Sequence, residues 1–93
     1  MASHQLYTVG TSATRITPLG THSGLDVTIQ NVNDDGYVYV GANKNVSASN
    51  YGYRIMPNHA ISFELPGGDA LFICASEADL NAAVITTGLE IGD

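Results

Sequence analysis

The sequence predicts an all-β domain: a single small antiparallel β-sandwich or barrel, jelly-roll-like, of about seven or eight short strands. Three observations carry this. Apolar residues return at every second position in successive runs, no segment sustains a 3.6-residue apolar period, and clusters of Gly, Pro, Asn and Asp separate the runs. A period of two places alternate side chains on opposite faces of a pleated strand, so each run has one face for a core and one for solvent.

The elements follow in chain order, with strands expected near 5–9, 13–17, 25–32, 37–41, 51–55, 60–65, 70–75 and 82–87. Leu25, Val27 and Ile29 alternate with Asp26, Thr28 and Gln30. Tyr37 to Val40 alternates aromatic with β-branched residues, which suit a half-buried pleated surface. Between these two runs, Asn33-Asp34-Asp35-Gly36 reads as a hairpin turn, with Gly36 free to take a positive φ. Gly41 to Asn50 is a polar loop, and Met56 to His59 breaks the chain before Ile61. Ile61, Phe63 and Leu65 face Leu71 and Ile73 across Pro66-Gly67-Gly68-Asp69, so a 61–74 hairpin is expected at the centre of the core. The run Leu71 to Cys74 is apolar on both faces. Ser76 to Asn81 has the residues for one helical turn but is too short for a stable helix. Ala83 and Ile85 then alternate with Val84 and Thr86.

Residues 1–24 differ in texture from 25–93. They are rich in Thr, Ser and Gly, with isolated apolar positions at Leu6, Tyr7, Val9, Ile16 and Leu19. The division read from this is an N-terminal arm or a pair of edge strands over 1–24, followed by the sandwich over 25–93. An extended arm gains little by ordering alone, so part of it is expected to contact another subunit.

Ninety-three residues allow one domain, and Leu, Ile, Val and Phe make up about a quarter of them, enough to oppose wholesale disorder. Charged residues are only 13% of the chain, about half the usual share. Three basic residues against nine acidic ones give a net charge of −6, which disfavours nucleic acid and anionic lipid as partners. No apolar run is long enough to span a membrane as a helix, and the N-terminal sequence lacks the basic and apolar regions of a signal peptide. A lone cysteine cannot form an internal disulfide, which fits folding in a reducing compartment.

Candidate chemistry is sparse. His4, His22 and His59 have no partner at metal-ligand spacing, and no nucleophile elbow is present. Cys74 lies in an apolar strand, where a thiol is a packing residue rather than a nucleophile. Asp34 with Asp35, and Glu77 with Asp79, sit where turns favour acids, and neither matches a calcium loop. No catalytic group, cofactor or metal is expected, and the protein is expected not to be an enzyme. The tyrosines are more informative. Tyr37 and Tyr39 share one face of a strand, and Tyr51 and Tyr53 are expected to share another; the apolar body and polar tip of Tyr suit contact surfaces. Leu6, Tyr7, Val9, Ile16, Tyr37, Tyr39, Tyr51 and Tyr53 are therefore the candidate interface residues.

A longer pattern spans residues 25 to 75. It runs Val27-Thr-Ile-Gln-Asn31, Gly36-Tyr-Val-Tyr-Val-Gly41, a polar spacer, Ile55-Met-Pro-Asn-His-Ala-Ile-Ser-Phe-Glu-Leu65 and Pro66-Gly-Gly-Asp-Ala-Leu-Phe72. It resembles short β-rich structural proteins encoded in phage head and tail gene clusters, capsid decoration (cement) proteins among them. The residues that carry the resemblance are strand and turn residues, so no binding position is transferred with it. The resemblance implies a non-enzymatic protein made in the host cytoplasm and placed on the outer capsid surface of the virion. It further implies the major capsid protein as partner, and a homo-oligomer, a trimer by family habit. A tail or fibre module that binds a host receptor or glycan is the alternative it leaves open.

Overall fold

The structure, a computed structural model, describes residues 2–16, 24–66 and 70–88. Among the described residues eight strands are present: β1 (Ala2–Val9), β2 (Thr14–Arg15), β3 (Gly24–Asn31), β4 (Val38–Gly41), β5 (Tyr53–Ile55), β6 (Ala60–Pro66), β7 (Phe72–Ala75) and β8 (Leu80–Gly88). They form two four-stranded antiparallel sheets, ordered β1-β8-β3-β6 and β2-β7-β4-β5. The first strand pairs with the last, the second with the seventh, the third with the sixth and the fourth with the fifth, which is the wrapping of a jelly-roll sandwich.

The core lies between the sheets and follows the period-two patterns. Val27 and Ile29 of β3, Ala82 and Val84 of β8, Val38 and Val40 of β4, Ile55 of β5 and Ile73 of β7 are all buried there. Val9 and Ile16 belong to the same cluster, so residues on either side of position 24 share one core. Val9 is fully buried and Tyr7 packs against the cluster, while Leu6, on the other face of β1, points to solvent. Residues 2–9 are therefore a full-length strand of the first sheet, paired along their whole length with β8. Residues 17–23, including Leu19 and His22, lie outside the described residues.

Two expected hairpins do not form. β3 and β4 belong to different sheets, as do β6 and β7, so 33–36 joins two layers, and so does the connection containing 67–69, itself outside the described residues. Turn chemistry reports that the chain reverses; it does not distinguish a reversal to a strand about 4.8 Å away in the same sheet from one across the roughly 10 Å between layers. Gly36 does take a positive φ of 89°, and a Cβ there would lie 2.6 Å from Leu80 Cδ1. Ser76 to Asn81 forms no helix: Ala78 and Asp79 turn the chain into β8, with Asp79 at φ 63°. Asp tolerates this left-handed conformation because its short side chain bonds locally. Pro57 and Asn58 make a similar tight turn, closed by the His59 N–H on the Met56 carbonyl at 3.1 Å, with Asn58 at φ 59°. Proline presets the first central position and Asn accepts positive φ at the second.

One end of the sandwich is held by a buried polar network. Asn31, fully buried at the end of β3, donates through Nδ2 to the carbonyls of Gly36 (3.1 Å) and Ile55 (3.0 Å). Its Oδ1 accepts from the backbone N–H (3.1 Å) and the side-chain amide (2.7 Å) of Asn33. Its own N–H donates to the His59 carbonyl at 2.9 Å. Asn33 passes the linkage on: its amide donates to the Asn81 carbonyl (2.8 Å) and its Oδ1 accepts the Asn81 N–H (3.0 Å). The network thus ties β3 and the start of β8 in one sheet to the end of β5 in the other.

Two stability outcomes are expected. Asn31→Ala removes the donor to the Gly36 and Ile55 carbonyls and the acceptor for the Asn33 backbone N–H, while the Asn33 side-chain amide keeps the Asn81 carbonyl; at about 1–3 kcal/mol for each buried group left unsatisfied, the variant should rank among the most destabilised in urea titrations. Phe63 is half-buried on an edge strand rather than central, whereas Ile73 is fully buried. Ile73→Ala should therefore cost about 2–5 kcal/mol, and Phe63→Ala less, reversing the order that a central 61–74 hairpin would give.

Candidate interaction surfaces

The two outer faces of the sandwich differ in chemistry. On the first sheet, cross-strand register places His4, Ile85, Thr28 and Ser62 in one row, and Leu6, Ala83, Gln30 and Ala60 in the next. None of these side chains is a carboxylate, lysine or arginine. Leu6 is 62% exposed and Ile85 46%. Thr28 and Ser62 share a hydroxyl–hydroxyl hydrogen bond of 2.8 Å. A shallow groove of about 200 Å³ runs over this face, with Leu6, Ala83 and Ile85 among its walls. Asp26 and Glu64 close the face at one end, directly opposite each other on β3 and β6.

On the second sheet the outer face carries aromatic rings and a lid. Tyr39 is buried, with the Tyr51 ring 4.8 Å from it and the Tyr37 ring 6.5 Å away. Arg54 lies 4.9 Å over the Tyr37 ring and Arg15 5.9 Å over Phe72, geometries in which a guanidinium is attracted to the π face. The β4–β5 loop folds back so that Val46 packs with Tyr39 and Cys74, making a second, smaller apolar cluster. This explains why Leu71 to Cys74 is apolar on both sides: Ile73 faces the main core, and Cys74 faces the cluster under the loop. Burial pushes the Cys74 thiol above its ordinary pKa range, which disfavours the reactive thiolate. The loop is held in shape by the Ser47 N–H on the Asn50 carbonyl (2.8 Å), the reciprocal bond (3.1 Å) and the Asn45 N–H on Asn43 Oδ1 (2.9 Å). Gly41 makes the closure sterically possible, because a Cβ there would lie 2.6 Å from Val46 Cβ.

The candidate interface residues are therefore dispersed. Leu6 is exposed on the first sheet, while Tyr7 is half-buried on the opposite side of the same strand. Val9 and Ile16 are spent on the protein's own core, and Tyr39 on the cluster under the loop. Tyr37 is half-buried beside Arg54, and Tyr51 is exposed above Tyr39. Tyr53 is exposed too, but it pairs with Val40, whose side chain faces the core. Tyr51 and Tyr53 thus do not share a face, because Tyr51 precedes the strand and its ring folds back over Tyr39. Thr28 lies on the polar face its run predicted, whereas Ala83 and Ile85 were missed as outer-face residues. The alternation in 82–87 was visible, but it does not say which of its two faces meets the core.

The two histidines that are described stand at opposite edges of the first sheet, His4 on β1 and His59 just before β6. Among the described residues there is no group of three or more His, Cys, Asp or Glu side chains placed to hold a metal ion. No protein-family model matches the chain, and no curated protein and no solved structure matches it.

The lid over Cys74 gives a direct test. Gly41→Ala forces the Val46 contact apart, and overpacking of this kind costs about 1–3 kcal/mol. Labelling of Cys74 by a thiol reagent in native buffer should then be about tenfold faster or more, with the melting transition still cooperative.

Proposed function

We propose that the protein is a non-enzymatic structural component of a phage virion: a decoration protein that binds the outside of the capsid shell, with the major capsid protein as its partner, and stabilises it. The observation that carries this reading is the outer face of the β1-β8-β3-β6 sheet, together with the resemblance over residues 25 to 75. That face exposes Leu6 and Ile85 among Ala, Thr, Ser and Gln, with its acids confined to one end. Interface cores are depleted of charge in the same way. A sheet face whose charges are confined to one end fits docking onto a repeated lattice, where burial against neighbours adds to the stability of a small domain. The jelly roll is compatible with this role without specifying it, since one fold carries many functions.

A second reading, a tail or fibre module that binds a host glycan, is favoured by one feature. Asn43, Asn50 and Tyr51 border a depression formed by the β4–β5 loop, and an exposed ring beside amides suits a sugar.

The test is quantitative mass spectrometry of purified particles, followed by rebinding of the protein to undecorated shells. Hundreds of copies per particle, and loss of rebinding by Ile85→Glu in a protein that still folds, are the expected results. A few to tens of copies would favour the tail reading, and absence from the particle would end both.

A further inference from the structure

The four sheet edges of the sandwich are not alike. β2 is two residues long, β5 is three residues long and carries Arg54, and β6 carries Glu64 and ends on Pro66. Shortness, charge and proline keep an exposed edge from pairing with another chain. β1 has none of these. It runs eight residues without proline, lysine, arginine or an acid. Its register with β8 is unbroken from Ala2↔Thr87 to Val9↔Leu80, so no bulge turns it away. Among the described residues its backbone pairs with β8 alone. Its other side presents N–H and C=O groups in the spacing that a further strand would satisfy.

Charge selects what fits there. At −6, two copies of this chain repel over most of their surfaces. Yet neither β1 nor its neighbour β8 contains any of the nine acidic residues. The strand acids of this sheet, Asp26 and Glu64, are on β3 and β6, the two strands further from that edge. Among the described residues, the one long unguarded edge is thus also where a second copy meets no like charge.

We propose that two copies of this chain pair through β1, antiparallel, about a two-fold axis at Leu6, joining their first sheets into one continuous eight-stranded sheet. An antiparallel strand pair is self-complementary under such an axis, which is the isologous contact of a closed dimer. Side-chain alternation requires outer-face residues to meet outer-face residues. Leu6 then lies opposite Leu6 of the second copy, and His4 opposite Thr8. The exposed Leu6 side chain is covered in the process.

The experiment uses the full chain in solution and is independent of any virion. Sedimentation equilibrium should give a dimer. Residue-resolved amide exchange should show the β1 amides directed away from β8 protected in the dimer and exchanging on dilution. Leu6→Lys brings two ammonium groups together at the axis and should weaken the dimer at least about tenfold, with the circular dichroism of the monomer unchanged. Should that variant misfold, Leu6→Cys provides the second test: mild oxidation should link it into a disulfide dimer, and the wild type, whose only thiol is the buried Cys74, should stay unlinked. A monomer at all concentrations, a trimer, a dimer whose outward β1 amides exchange freely, or a Leu6→Cys chain that does not cross-link would each overturn the proposal.

Discussion

The amide of Asn31 is the constraint on which the architecture turns. A sandwich of two sheets gains its stability from the apolar layer between them, but that layer is non-directional and sets no unique stagger of one sheet on the other. The Asn31 side chain does. It sits at the end of a strand in one sheet and donates to carbonyls on the crossover to β4 and at the end of β5 in the other, with its oxygen held by Asn33. Both of its donors and its acceptor are used, so burial carries no unpaired-group penalty. Through Asn33 the same network fixes where β8 begins. Since β8 lies between β1 and β3, the register of the edge strand depends on it as well.

Much of this was legible in the sequence, and what was not has identifiable causes. The eight strands lie close to their expected positions, because the period-two signal is local, although β1 begins at Ala2 rather than near residue 5 and β4 and β7 are buried on both faces. Their pairing was not legible. Among consecutive strands only β4 and β5 are hydrogen-bonded neighbours, and a cluster such as Asn33 to Gly36 carries the same turn chemistry whether the next strand lies beside or across. The candidate interface suffered from a related ambiguity. Leu6, Tyr7 and Val9 read as isolated apolar positions, and only the structure separates the exposed leucine from Tyr7 and Val9 on the opposite, core-facing side. Asn31 gave no signal at all: a polar residue at the end of an alternating run reads as the edge of a turn, and its burial follows from a crossover the sequence does not declare.

The low charge content has a spatial counterpart. Arg54 and Arg15 lie over aromatic rings on the second sheet, and Lys44 is in the loop that covers its outer face. Aspartates 34, 35 and 79 and Glu77 occupy the connections at the Asn31 end. The β1 and β8 strands have neither sign. One sheet face is closed over by the chain's own loop, and the other leaves Leu6 and Ile85 exposed.

The wrapping order also bears on how the protein is made. β1 is synthesised first and its partner β8 last: Thr8 and Asn81, which face each other in the finished sheet, are 73 positions apart. The β4–β5 ribbon closes from neighbouring segments, the β3–β6, β4–β7 and β2–β7 pairings become possible as β6 and β7 emerge, and the pairings of β1 and β3 with β8 come last. Folding dominated by such distant pairings is slow, because loop-closure entropy is lost before contacts repay it. Until β8 is made, then, Tyr7 and Val9 lack their partner strand, and a nascent chain paused before residue 80 holds β1 as an unpaired β-segment. Such a segment invites contact with other nascent chains, so the interval between synthesis of β1 and of β8 bears on yield alongside the stability of the finished sandwich.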